Sequence, residues 1–415
     1  MKKIILFLLL FGGFQLYAQR TCATHEKTQE LIQTVPGFAA HHEEMKAYLR
    51  NTSQTHLFNK PNAPQVVVTI PVVFHVLYKN ATQNISDAQI LSQLAVLNAD
   101  YRKLNTDFNS VVPSAFRPLG ADMEITFCLA TRTPTGAVTT GITRKSVASS
   151  FSFDNNYYAA SGQPAWDPTK YLNIWVGKFT DNSLLGFAYL PDSAGANYDG
   201  LCISYTAFGT TGTAAAPFNK GRTATHEIGH YFGLDHPWGA DGSNCNTTAN
   251  SDGVADTPAT NNPYYNCPTF PSNTNACTTT ANGSMFMNYM DYVNDACMAF
   301  FTAGQKAIMQ NTLAGPRLSL ITSNNGCGAL GLDDFEAISA IAVYPNPVSN
   351  YFQITSPQLA IDEVELFNAL GQLVSTQKLS GTNPQVQVNK LAEGTYYIRM
   401  YSQGSFVKSA KIVKQ

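Results

Sequence analysis

The sequence predicts an α/β domain, with a mixed sheet and a helix that carries the candidate site, followed by a small all-β sandwich. Three observations carry this prediction. Residues 65–78 (QVVVTIPVVFHVLY) form a β-branched run of the kind that fills a buried strand. Residues 87–105 set Ile90, Leu91, Leu94, Leu97, Tyr101 and Leu104 at helical spacing, so strands and long helices alternate over 61–321. After residue 334 the texture changes to about seven short β-type runs separated by turn residues, the pattern of a small sandwich.

The elements follow in chain order. Lys2 and Lys3 precede an apolar stretch from Ile4 to Phe14, with Ala18 at a cleavage position. This reads as a secretory signal peptide over 1–18, because the apolar run is too short to span a membrane comfortably. Residues 19–60 are polar, with helices expected over Thr24–Gln33 and near Ala40–Arg50. The Pro/Asn stretch 59–64 then breaks the chain, and 19–60 reads as a removable pro-segment. Within 61–321, Ser86 is the expected N-cap of the helix over 87–105. Further strands are expected over 122–129, 171–176 and 201–205, and a helix over 218–234. Residues 237–283 form a long loop rich in Asn, Thr, Pro and Gly, which at such a length is functional or pinned. A polar linker (322–334) leads to the β domain (335–415), with β runs at 342–344, 351–355, 364–368, 386–388 and 395–401.

Composition narrows the function. The 415 residues hold 26 Lys+Arg against 28 Asp+Glu, a net charge of −2, and only 13% are charged. No basic excess is available to neutralise phosphates, so nucleic-acid binding is not expected. No segment is long and apolar enough for a transmembrane helix. The 44% hydrophobic content supplies a sizeable core. Eight cysteines in an exported chain suggest disulfides. Four of them, Cys245, Cys267, Cys277 and Cys297, lie close together and allow three pairings.

The chemistry concentrates at Thr225–Pro237, THEIGHYFGLDHP. His226 and His230 are four apart and share one helix face, where they can grip one ion. Glu227 is placed to reach a metal-bound water. Gly233 lets the chain leave the helix sharply, and the turn returns His236 as a third ligand. Three imidazoles and an open position make the donor set of a catalytic zinc. Three of only eight histidines fall within these eleven positions.

This extended motif resembles the metzincin metallopeptidases. The surroundings, Ile70–Val76, Gly186–Tyr189 and Met287–Tyr292, resemble their pappalysin-like family, over roughly Arg20–Pro316. The resemblance implies that Met290 is the methionine beneath the zinc, with Met285, Met287 and Met298 as nearby alternatives. It implies that Tyr292 lies near the metal, binding it loosely or donating to the oxyanion. It suggests disulfides Cys245–Cys277 and Cys267–Cys297, and a structural calcium at Asp252, Asp256 and Thr257, whose hard oxygens suit that ion. Cys22 resembles the cysteine of bacterial pro-segments, whose thiolate fills the open zinc position; a simple unpaired thiol is the alternative. Activation would follow cleavage after Arg50 or Lys60. Gly186–Leu190 resembles the rim strand on which a substrate lies as an added strand. Relatives often prefer a basic residue just after the scissile bond, and Asp295 is the residue that could receive it.

The tail resembles the C-terminal sorting domain of the type IX secretion system, through residues 343–347, 366–371, 394–397 and 408–414. The function expected from these readings is a secreted zinc endopeptidase acting on proteins or peptides. Zinc activates a water, and Glu227 serves as general base and then acid. The type IX machinery is the partner of the tail. A displayed zinc-stabilised adhesin and a zinc hydrolase of another substrate are the rival classes.

Overall fold

A computed structural model of the chain describes residues 19–51, 67–239, 245, 252–322, 341–356, 360–369, 372–381, 383–402 and 405–415. The expected signal peptide, Lys60, Cys327 and residues 323–334 of the linker lie outside them.

The first part of the chain supplies a two-residue strand β1 (Thr21–Cys22) and helices α1 (Thr24–Thr34) and α2 (Phe38–Leu49). The β-branched run forms β2 (Val68–Tyr78), the central strand of the first domain. Its side chains alternate: Ile70, Val72, Phe74 and Val76 enter the main core, while Leu77 packs on the opposite face against Trp175 and Phe187. Burial on both faces is what a parallel strand requires. β2 pairs in parallel with β3 (Ile125–Leu129), β4 (Ile142–Ser146) and β5 (Leu172–Gly177). β7 (Leu201–Ser204) continues in parallel beside β5, and β6 (Leu184–Ala188) runs antiparallel beyond it. The sheet is therefore mixed, and β6 is the last strand of the 67–322 segment on that side. β1 covers it there, pairing in parallel with Thr21 opposite Leu184 and Cys22 opposite Gly186.

Helix α3 (Asp87–Tyr101) starts where expected, with Ser86 Oγ accepting from the amide of Gln89 at 3.2 Å. It ends four residues early, and Lys103 adopts a left-handed φ of 51°. The strand expected over 122–129 begins only at Ile125, after Glu124 at φ 61°. The helix expected over 218–234 is also shorter. α4 runs Arg222–Tyr231, because Gly221 (φ 75°) and Gly233 (φ 92°) bound it, and Phe218 packs apart with Leu185 and Ala207. All ten residues of α4 are buried beneath the sheet edge. A further helix, α5 (Ala303–Ala314), opens with a capping box between Thr302 and Gln305.

The tail holds seven strands among the described residues. β8 (Ala342–Tyr344), β9 (Tyr351–Thr355) and β12 (Gln385–Gln387) form one sheet. β10 (Glu363–Asn368), β11 (Leu373–Lys378), β13 (Gly394–Ser402) and β14 (Ser405–Lys414) form the other. Phe352, Ile354, Val364, Leu366, Val386, Ile398, Met400 and Ile412 fill the space between them. A single pairing, Ser405 opposite Thr143, joins β14 to β4.

Candidate metal centre

Helix α4 delivers His226 and His230 one turn apart, both buried. Gly229, on the same helix, lies where a Cβ would stand 2.4 Å from Met290 Sδ, so only glycine lets that methionine pack beneath the pair. The left-handed Gly233 turns the chain, and His236 returns to its partners. The three Nε2 atoms stand 3.0, 3.2 and 3.3 Å apart. His226 Nδ1 donates to the carbonyl of Tyr289 and His230 Nδ1 to that of Leu234, each at 2.7 Å. Those bonds fix the tautomer and aim the Nε2 lone pairs inward. Burial holds all three imidazoles toward the neutral form, lowering His230 to about 4 and holding His226 and His236 well below the usual imidazole range. Converging lone pairs of neutral rings attract one another only through a cation, so these residues fit zinc.

Cys22 Sγ completes the group, and all four donor atoms lie within 4.8 Å of one another. The same sulfur is 3.2 Å from Glu227 Oε2. Thr24 Oγ1 also donates to that oxygen at 3.2 Å, and it accepts from the amide of Ala188 on the rim strand at 2.9 Å. Glu227 is thus enclosed, and burial pushes it up to about 8. The ring of Tyr292 meets that of His236 edge-on at 4.9 Å, and its hydroxyl donates to the carbonyl of Cys22 at 3.4 Å. Asp291 holds this turn by accepting from the amides of Tyr264 and Tyr292.

Asp295 is fully buried, and so is its partner. Arg20 Nη2 donates to Asp295 Oδ1 at 2.5 Å, and the amide of Lys220 donates to Oδ2 at 2.8 Å. The Arg20 guanidinium also stacks over Phe218. α2 and the residue after it make a second set of contacts: His42 Nδ1 lies 2.5 Å from Asp192, Arg50 contacts Asp235 at 2.6 Å, and Lys46 lies 3.8 Å from Asp235.

Among the described residues Cys245 pairs with Cys277 and Cys267 with Cys297, and the second bond ties the long loop to the segment after Met290. Cys128 is also disulfide-bonded, while Cys22 and Cys202 are free and buried. The expected calcium residues divide. Both carboxylate oxygens of Asp252 accept from Thr257 Oγ1, and burial pushes Asp252 up to about 7. Asp256 instead accepts from Thr302 Oγ1 and the amide of Gly304, at the start of α5. A carboxylate that satisfies donors at a helix N-terminus is held there.

Residues 157–314 match the family model described as pregnancy-associated plasma protein-A, the pappalysin metallopeptidases. A solved structure of mature mirolysin from Tannerella forsythia, in complex with a cleaved peptide, is 46% identical. The match covers 62% of this chain and 97% of that one, with TM-score 0.59. A promirolysin variant of the same organism is 41% identical, covering 73% and 97%, with TM-score 0.64. An extracellular metalloprotease of Podospora anserina is 30% identical over 69% of this chain and 86% of its own length. The chain belongs to the pappalysin family.

As a pappalysin it is a zinc metalloendopeptidase with a metzincin fold. Residues 342–415 match the secretion system C-terminal sorting domain, which marks a secreted protein exported by the type IX route. No helix among the described residues is long and apolar enough to cross a membrane.

Three features of this pappalysin site escaped sequence reasoning: Arg20, Thr24 and Trp238. Arg20 stands two residues before Cys22, and Trp238 two after His236. Those positions are the available signal, but their partners are set by long-range packing.

Proposed function

We propose that the chain is a latent endopeptidase that cuts on the N-terminal side of Arg or Lys, with residues 19–60 as its built-in inhibitor. The observation that carries this reading is Arg20, seated on Asp295 with 1% of its side chain exposed. A buried carboxylate that selects a guanidinium from its own pro-segment is equipped to select one from a substrate. Arg20 precedes the metal-facing Cys22 in the chain, and β1 runs parallel to β6. A substrate whose basic residue follows its scissile bond reaches the same pocket only by running the other way, antiparallel to β6. The pro-segment therefore lies in the cleft reversed, which supports its role as an inhibitor.

His226, His230 and His236 would hold the zinc, and Met290 would support them from below. Zinc supplies a Lewis acid that acidifies water and polarises the scissile carbonyl. Glu227 takes the proton from the attacking water at Oε2, the atom now covered by Cys22 and Thr24, and returns it to the leaving amine. Tyr292, released from the Cys22 carbonyl, donates its hydroxyl to the oxyanion. The amide of Ala188, released from Thr24, pairs with the substrate backbone. The organisation follows as signal peptide 1–18, pro-segment 19–60, catalytic domain 61–321, linker 322–334 and sorting domain 335–415. Activation removes the pro-segment after Arg50 or Lys60. A structural calcium at the Asp252 turn would take Asp252 and Thr257 as ligands and stabilise the buried carboxylate as an anion.

Cleavage-site mapping by mass spectrometry tests the reading. The full chain, with and without limited trypsin treatment, is mixed with denatured casein, each with and without a zinc chelator. Chelator-sensitive cuts before Arg or Lys, arising only after processing, are expected. New cuts with no basic residue after the scissile bond would remove Asp295 from the specificity role. Absence of cuts from zinc-loaded, processed protein would favour the displayed-adhesin class.

A further inference from the structure

His226 and His230 each anchor their outer ring nitrogen on a backbone carbonyl. Among the described residues no such acceptor meets His236 Nδ1. Instead its ring lies flat on the indole of Trp238, with centroids 4.5 Å apart and planes 8° from parallel. The same indole receives the ring of Tyr292 at 4.8 Å and 79°. Tyr292 in turn stands edge-on to His236 at 83°, so the three rings brace one another. Trp238 is 7% exposed and packs in one cluster with Cys22 and Tyr292. Its backbone is constrained from both sides: Pro237 precedes it, the left-handed Gly239 follows, and the amide of Gly239 bonds the carbonyl of His236 at 2.8 Å.

We propose that Trp238 is a positioning residue of the metal centre, whose indole face holds His236 and, through its other contact, Tyr292. Stacking supplies for the third imidazole the orientation that hydrogen bonds supply for the first two. Outer contacts that orient a metal ligand typically govern metal affinity and activity over roughly 10- to 100-fold, and flat aromatic pairs add directionality to burial. The inference rests on His236 being a zinc ligand, which zinc stoichiometry of the unmutated chain checks separately.

The test compares Trp238→Ala, Trp238→Leu and Trp238→Phe in the full chain. Zinc release to a coloured chelator is expected to quicken about 10-fold or more in the Ala and Leu variants and to stay near wild type in Phe. After limited trypsin treatment, kcat on a peptide substrate should fall about 10-fold in Ala and Leu, with KM changed less than about 2-fold. The other two tryptophans, Trp166 and Trp175, pack around His75. Any zinc-dependent change in tryptophan emission should therefore vanish in Trp238→Phe. If the Ala variant does not fold, Leu against Phe decides, since Leu keeps apolar bulk without the flat face. Wild-type zinc release and kcat in Leu, or a rise confined to KM, would overturn the proposal.

Discussion

Arg20→Ala in the full chain separates the pro-segment's specificity anchor from its metal contact. Both partners of the Arg20–Asp295 pair are buried, at 1% and 0% exposed. Removing one partner of such a pair costs about 3–5 kcal/mol, because the other charge is left uncompensated. The amides of Lys220 and Arg222 still donate to Asp295 Oδ2 in the variant. We therefore discount the loss to about 2–3 kcal/mol, equivalent to roughly a 30- to 150-fold larger population with the cleft open. The assay is hydrolysis of a fluorogenic peptide by the unprocessed chain, compared with the same preparation after limited trypsin treatment. The unprocessed variant should be roughly 30- to 150-fold more active than the unprocessed wild type. Processed wild type and processed variant should be indistinguishable, since the substituted residue leaves with the pro-segment. Arg20→Lys keeps the charge without the planar fork and should fall between the two. A variant as silent as the wild type before processing would refute the claim that the Asp295 pocket helps hold the inhibitor.

Three further outcomes are expected. Glu227→Ala should keep bound zinc by metal analysis yet lose at least about 100-fold in kcat, as expected for removal of a general base; unchanged turnover would exclude Glu227 from proton transfer. Arg50→Ala removes the contact with Asp235 and two bonds to the carbonyl of Asp252. For these half-buried charged bonds we take about 1–2 kcal/mol, so peptide hydrolysis by the unprocessed chain, with no trypsin added, should rise roughly 5- to 30-fold over unprocessed wild type. His75 is buried, donates from Nε2 to Asn173 and accepts at Nδ1 from Thr143, and burial lowers it to about 4. Its folded pKa lies below its unfolded value, so it carries no penalty above about pH 6.5, and stability falls as pH drops from there toward about 4. The difference is about 3 kcal/mol, and His75→Gln should lack that slope, so the wild-type minus variant difference in Tm should fall as pH drops from about 6.5 to about 4; parallel curves would show that His75 does not titrate in this window.

The parts of the site legible in the sequence are those whose geometry is local. His226, Glu227, His230 and His236 span eleven positions, and helix periodicity plus one glycine turn suffices to converge them. The tail was legible for the same reason, because alternating apolar residues at 351–355 and 395–401 report strand burial directly. Element ends were less so. The helix expected over 218–234 lost both ends to left-handed glycines at 221 and 233. At Gly233 an added Cβ would stand 2.7 Å from Leu49 and 3.1 Å from Thr312, contacts that spacing does not reveal. Asp252 and Asp256 look equivalent in the sequence, yet the second is drawn to the start of α5, 48 residues away at Gly304.

By itself the sequence determined that His226, Glu227, His230 and His236 converge, the exported character carried by the tail, and the class of both folds. These depend on residue spacing and composition, which the chain carries wherever it folds. The tertiary structure decided what fills the cleft. Arg20 meets Asp295 across 275 residues, Cys22 and Thr24 meet Glu227 across more than 200, and Tyr292, from beyond the long loop, closes on His236 beside Trp238. The physical reason is register. Once β1 pairs in parallel with β6, placing Cys22 opposite Gly186, that register sets Cys22 against the metal group and Arg20, just before the strand, against the acidic pocket. No local pattern in residues 19–24 encodes that choice of strand edge.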